Sequence, residues 1–273
     1  MDWNKTKSIF IVVFLILNVF LYSQYLGSKN EEKKLEVIGE TTKIEAQLKE
    51  ENITYIALPN NIESASYLSG KVKQFTKADV PTSGSPNLII ENETKLYATY
   101  QTPVELQAGS DSERFLPFMQ NYVYEGASYT LWQVDEEERT ATFFQRVNDR
   151  TLYYNIGAVV KLYWNTDGAV YGYEQTMLEK IEELEQKETI LSPIQVIQIL
   201  YSKNLLKPDS RISSMKLGFS TLVQLTQTQV FAPTWEVHVK TKDNDEEQYF
   251  VNAVEGKILD IEQGFVEIND VEE

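Results

Sequence analysis

The chain's one histidine, His238, stands in TWEVHVKT, where Trp235, Val237 and Val239 alternate with Glu236, His238 and Lys240. Imidazole is the side chain best suited to moving protons near neutral pH. A period of two nevertheless puts this one on the polar face of a strand, and no Cys or elbow-type Ser accompanies it to be activated. A solvated strand histidine is the expectation. Ser213-Ser214-Met215-Lys216 spells S-x-x-K, which in serine acylases opens a helix so that Ser and Lys, one turn apart, can meet. In SSMKLGFSTLV the spelling enters a strand and sends Ser213 and Lys216 to opposite faces. Its S-D-N and K-T-G companions are missing, since Lys240-Thr241-Lys242 lacks the Gly. Asp135-Glu136-Glu137-Glu138 and Asp243-Asn244-Asp245-Glu246-Glu247 concentrate carboxylates that could hold Ca²⁺. The second run lacks the Gly and the distal Glu of an EF-hand, with Gln248 in the Gly position, so both read as solvated hairpin turns. A carboxylate pair for glycoside hydrolysis is defined by separation in space and stays open at this point. No catalytic residue, metal site or cofactor is expected.

Asn18 is the most pointed residue near the start. It lies within residues 9–26, IFIVVFLILNVFLYSQYL, a charge-free run of 18 residues. As a helix this run measures about 27 Å, close to the ~30 Å hydrocarbon thickness of a bilayer. Lys5 and Lys7 precede it, and Trp3 on one side with Tyr22 and Tyr25 on the other resembles a pair of interfacial aromatic anchors. Trp3, Lys5 and Lys7 are therefore the expected anchors, with the first residues cytoplasmic and the rest outside. A cleaved signal peptide competes with this reading, but no A-x-A-like site follows the run. In hydrocarbon an Asn amide seeks a partner, so the face shared by Ile11, Phe14, Leu15, Asn18, Leu21, Tyr22 and Tyr25 is the expected contact with a partner helix.

Composition narrows the rest. The 273 residues include 25 Lys+Arg, 41 Asp+Glu and no Cys, for a net charge of -16. Without Cys there is no disulfide framework, thiolate metal site or catalytic thiol. Such an acidic surface repels phosphate backbones, so nucleic acid is not an expected partner. An aromatic share of 12 %, led by 16 Tyr, argues for a folded core.

The elements that must carry these residues follow from pattern. Residues 30–51, rich in Glu and Lys with Leu35, Ile38, Ile44 and Leu48 at helical spacing, predict a stalk or a helix resting on the next domain. Strands are predicted at 53–58, 88–90, 95–100, 128–134, 140–147 and 158–173, the last broken at the Asp167-Gly168 turn. Helices are expected over 114–125, 177–188 and, from the Ser192-Pro193 start, through 206. Strands at 214–223, 234–241 and 248–261 close the chain. The fold class expected is α+β: one N-terminal transmembrane helix, then an extracytoplasmic part of two mixed helix and antiparallel-sheet lobes. The boundaries are 1–8 cytoplasmic, 9–26 membrane, 27–52 stalk, 53–174 first lobe, and 175–273 second lobe with an acidic tail.

The opening MDWNKTKSIFIVVFLILNVFLYSQYL, together with WNTDGAVYGYEQ, FAPTWEVHVKT and QYFVNAVEGKILD, resembles the YycI (WalI) family of bacterial accessory membrane proteins. The segment around Trp235 and residues 251–260 also looks like a PepSY-type module. What the resemblance implies is a non-enzymatic, single-pass cell-membrane protein acting with a YycH-like membrane protein on the sensor histidine kinase WalK (YycG). That kinase belongs to a two-component system of Gram-positive bacteria that controls cell-wall metabolism. No small-molecule substrate is implied. The alternative is a PepSY-like extracytoplasmic inhibitor or chaperone of a secreted peptidase.

Overall fold

The computed structural model describes residues 14, 17–18, 43–59, 62–79, 83–224 and 227–261. The fold is α+β, built on two largely antiparallel sheets that share a short connecting strand. The first sheet contains β3 (Asn87–Glu91), β4 (Lys95–Glu105), β5 (Tyr129–Asp135), β6 (Thr140–Val147), β8 (Val159–Trp164) and β9 (Ala169–Gln175), in the order β3-β4-β9-β8-β6-β5. Helix α2 (Asp111–Tyr122) lies across one face of it. Its entry is fixed by Ser110, whose N–H and hydroxyl both donate to Glu113 Oε2, at 3.1 and 2.8 Å. Phe115, Phe118 and Met119 on α2 are buried against Leu96, Phe143, Leu162 and Trp164 of the strands, the apolar stripe a core-facing helix requires.

The second sheet contains β1 (Thr54–Tyr55), β2 (Ser64–Val72), β10 (Leu178–Thr189), β11 (Arg211–Gln224), β12 (Thr228–Lys240), β13 (Glu246–Asn252) and β14 (Ile258–Leu259). The long strand β12 pairs with β11 along most of its length. Its first residues also pair with β2, and its later ones with β13. Strand β1 pairs parallel with β11. Helix α3 (Pro193–Ser202) covers this sheet together with α1, residues 43–50. Ser192 starts α3 as expected, its N–H and hydroxyl donating to Gln195 Oε1 at 2.8 and 2.9 Å. Strands β1 and β2, early in the chain, thus join strands from its last hundred residues.

The segment expected as a helix at 177–188 is instead strand β10, Leu178–Thr189. Leu178, Ile181 and Leu184 repeat every three residues and invite a helical reading. Pairing with β2 overrides that periodicity, with register shifts at 179/182 and 183/187 and a left-handed Lys180 absorbing the mismatch. The helical segment at 43–50, with two Lys and two Glu, packs as well as rests: Ile44 and Leu48 are buried in the same core as α3.

The expectation of a single N-terminal transmembrane helix, with the single-pass cell-membrane location drawn from it, is corrected. Among the described residues no helix is long and apolar enough to cross a membrane. The 12 residues of α2 reach only about 18 Å, against ~30 Å of hydrocarbon, and α2 is amphipathic. Of residues 9–26 only Phe14, Leu17 and Asn18 are described, all helical and exposed; the remainder of that run lies outside the described residues.

Candidate functional site

The densest arrangement of polar and aromatic side chains lies where the two sheets meet, and β7 (Arg150–Tyr153) builds it. A two-residue turn, Asn148-Asp149, with both residues at positive φ, reverses the chain out of β6. That geometry matches the twist of a tight hairpin. Strand β7 then pairs antiparallel with β6 and parallel with β11, so it belongs to both sheets. Tyr153 leaves it toward β11 and lies over Gly218: a Cβ at position 218 would stand 2.4 Å from the Tyr153 ring and 2.6 Å from the Thr151 carbonyl oxygen. Glycine is therefore required there by close approach.

From that seat the Tyr153 hydroxyl donates to Glu236 Oε2 at 3.0 Å. Gln248 Nε2 donates to Glu236 Oε1 at 2.8 Å, and His238 Nε2 hydrogen-bonds the same oxygen. Glu236 is only 3 % exposed. A buried carboxylate is tolerable when donors surround it, and here three side chains from β7, β12 and β13 converge on it. Burial, followed by the Glu236 charge and hydrogen bond, pushes the Tyr153 phenol well above its ordinary pKa. Trp132 and Phe250 pack on Tyr153, with centroids 5.7 and 5.1 Å away, Phe144 packs on Trp132, and Tyr154 packs on both Trp132 and Phe250. Trp132 Nε1 donates to the Tyr154 hydroxyl at 3.0 Å.

Two further contacts fasten the sheets. Asn155 Nδ2 donates to Thr221 Oγ1 and Gln229 Oε1, at 2.7 and 2.6 Å, while its Oδ1 accepts the Gly157 N–H. Gln145 imitates a strand: its amide both donates to the Leu178 carbonyl and accepts the Leu178 N–H, each at 2.9 Å. All of this holds two bodies in register. The imidazole and carboxylate of the joint are not aimed at a nucleophile, because the Ser213 hydroxyl turns instead to the His238 carbonyl at 3.4 Å.

The residues singled out from sequence fall as follows. Among the expected partner-face residues, Phe14 and Asn18 are described. The Asn18 amide donates to the Phe14 carbonyl at 3.0 Å, within its own helix. Ile11, Leu15, Leu21, Tyr22 and Tyr25, with the anchors Trp3, Lys5 and Lys7, lie outside the described residues. S-x-x-K lies in β11, as its strand reading required. Asp135 caps its own acidic turn, accepting from the Glu137 and Glu138 N–H groups at 3.0 and 2.9 Å. Among the described residues no group of three or more His, Asp or Glu is placed to hold a metal ion. Sequence reasoning put Glu236 on a solvated face, and it passed over Tyr153, Gln145 and Asn155 altogether. For Tyr153 and Asn155 the one signal is the Tyr-Tyr-Asn run between strand patterns, too short to carry a period, and Gln145 sits inside the predicted strand 140–147 with no local signal.

The sequence profile of the YycI protein family matches residues 32–254. The chain belongs to the YycI family. Membership puts it among non-catalytic regulatory proteins. No curated protein matches it significantly. Among solved structures, an uncharacterized protein from Eubacterium rectale is similar at 10 % identity and a TM-score of 0.42, over 76 % of this chain and 90 % of that one. The Bacillus megaterium YpeB C-terminal domain is similar at 14 % identity and a TM-score of 0.41, over 70 % and 87 %. YycH from Bacillus subtilis is similar at 14 % identity and a TM-score of 0.38, over 76 % of this chain and 54 % of that one. These structural likenesses are distant and carry no functional argument.

Proposed function

We propose that this YycI-family chain is a regulatory partner that modulates the sensor histidine kinase WalK in a complex with a YycH-like protein. The observation that carries the reading is the family match, which spans the joint and every strand of both sheets but β14. The joint gives the reading a physical route. Two sheets fastened by Tyr153–Glu236, Asn155–Gln229 and Gln145–Leu178 transmit a load on one to the other, since packed bodies shift as units rather than deform. Regulation then means that the complex stabilises one kinase state over another, a coupling of about 1 to 3 kcal/mol, or roughly 5- to 150-fold. The test is affinity co-purification of the tagged full chain from cells that express it. The kinase and the YycH-like protein should be enriched together. Enrichment of a secreted peptidase without the kinase would replace the reading with an inhibitor or chaperone of that peptidase.

A further inference from the structure

Away from the joint, Arg114 stands in the first turn of α2 with its guanidinium over two rings, 4.7 Å from the Phe115 centroid and 4.9 Å from that of Trp164. Stacking of this kind suits a planar, delocalised cation and fixes its plane. Beside it opens a cleft of about 410 Å³, bounded by Glu136 and Arg139 on one side and by the Asn165-to-Gly168 turn on the other. The second wall is stiff, because Asn165 Oδ1 accepts the N–H groups of Asp167 and Ala169, both at 3.0 Å. The first wall is the acidic turn between β5 and β6. From it Glu136 Oε1 reaches Arg114 Nη1 at 2.9 Å.

That contact identifies what the site takes. A guanidinium presents five N–H donors and pairs best with both oxygens of a carboxylate. Among the described residues, Glu136 is the one side chain bonded to Arg114, and it uses a single oxygen. The Glu136 side chain remains 62 % exposed, while that of Arg114 is 22 % exposed. A held cation is therefore matched with a loosely held carboxylate, and Arg139 stands at the same rim. The cleft is walled by turns rather than by the apolar surfaces that enclose a small molecule, which suits a group presented from a protein surface. We propose that Arg114 is a receptor for a carboxylate of a partner protein, and that Glu136 is an internal stand-in that this carboxylate displaces. The proposal does not depend on which partner is bound.

The test follows the Trp164 indole N–H resonance of the full-length, 15N-labelled protein. Ac-Gly-Glu-Gly-NH2 offers only a side-chain carboxylate, Ac-Gly-Gly-Gly only a terminal one, and Ac-Gly-Gln-Gly-NH2 none; inorganic phosphate is the fourth probe. A saturable shift with either carboxylate peptide, and not with the Gln peptide, is expected, and the arm that responds names the source. Glu136→Gln should tighten that binding roughly two- to five-fold, the worth of a surface ion pair removed from competition. Arg114→Lys should weaken it at least about five-fold, because the charge stays while the fork is lost. Equal shifts with the Gln peptide, phosphate binding as tight as carboxylate binding, or no response from either carboxylate peptide would each overturn the proposal. So would unchanged affinity in Glu136→Gln, an exposed substitution that leaves the fold intact.

Discussion

At the scale of single residues, Gly218 and Glu236 show how position decides the role of a side chain. Gly218→Ala drives a methyl into the Tyr153 ring and the Thr151 carbonyl; overpacking of this order costs about 1 to 3 kcal/mol, and a lowered melting temperature should report it. Tyr153→Phe keeps the ring on Gly218 but removes a donor from a buried carboxylate, so a loss of about 2 kcal/mol is expected in denaturant unfolding. Asp79 supplies a pH dependence. The hydroxyl and N–H of Thr76, both 2.8 Å from Asp79 Oδ2, hold its carboxyl below the ordinary 3.8, with Lys73 adding to the effect. The unfolded carboxyl takes up its proton first as pH falls. The Asp79 contribution is therefore full above about pH 4 and disappears as pH drops through the depressed folded value. Acid unfolding of Asp79→Asn should lack that component; a profile identical to the parent's would remove Asp79 from the account. The roles of Gly218, Tyr153 and Glu236 could not be read from the chain, because each depends on residues tens of positions away: Glu236 is a polar residue in an alternating strand until β7 is laid over it.

At the scale of elements, sequence pattern succeeded where local rules dominate. The Ser192-Pro193 start of α3, the Asp167-Gly168 hairpin and the two acidic turns lie where capping and turn chemistry put them. It failed at β10, whose three-residue repeat of Leu178, Ile181 and Leu184 mimics a helix while its backbone pairs with β2. The same dependence on tertiary pairing governs α1. If residues 43–50 were only a solvated stalk, Leu48→Ala would be nearly neutral. With Leu48 1 % exposed among Trp235, Val239 and Leu200, truncation should cost about 2 to 5 kcal/mol. A loss under 0.5 kcal/mol would detach α1 from the core.

At the scale of the whole molecule, the chain's division of labour follows from its connectivity. Strands β1 and β2 return to the sheet built from the last hundred residues, and β7 sits in both sheets. The apolar cores of the two sheets are thus tied by the polar and aromatic joint and by a third apolar cluster that includes Leu68, Leu152, Leu178, Phe219 and Phe231. That arrangement suits a protein whose work is contact. Resemblance at the level of sequence named the family, while composition supplied only the absence of thiol chemistry and an expectation against nucleic acid as a partner. The most direct measurement is the autophosphorylation rate of WalK with its YycH-like partner, in the presence and absence of the full-length chain. The account predicts a change of roughly 5- to 150-fold when all three are present, reduced when the joint is loosened by Gly218→Ala. An unchanged rate in a mixture where the three proteins demonstrably bind one another would contradict it.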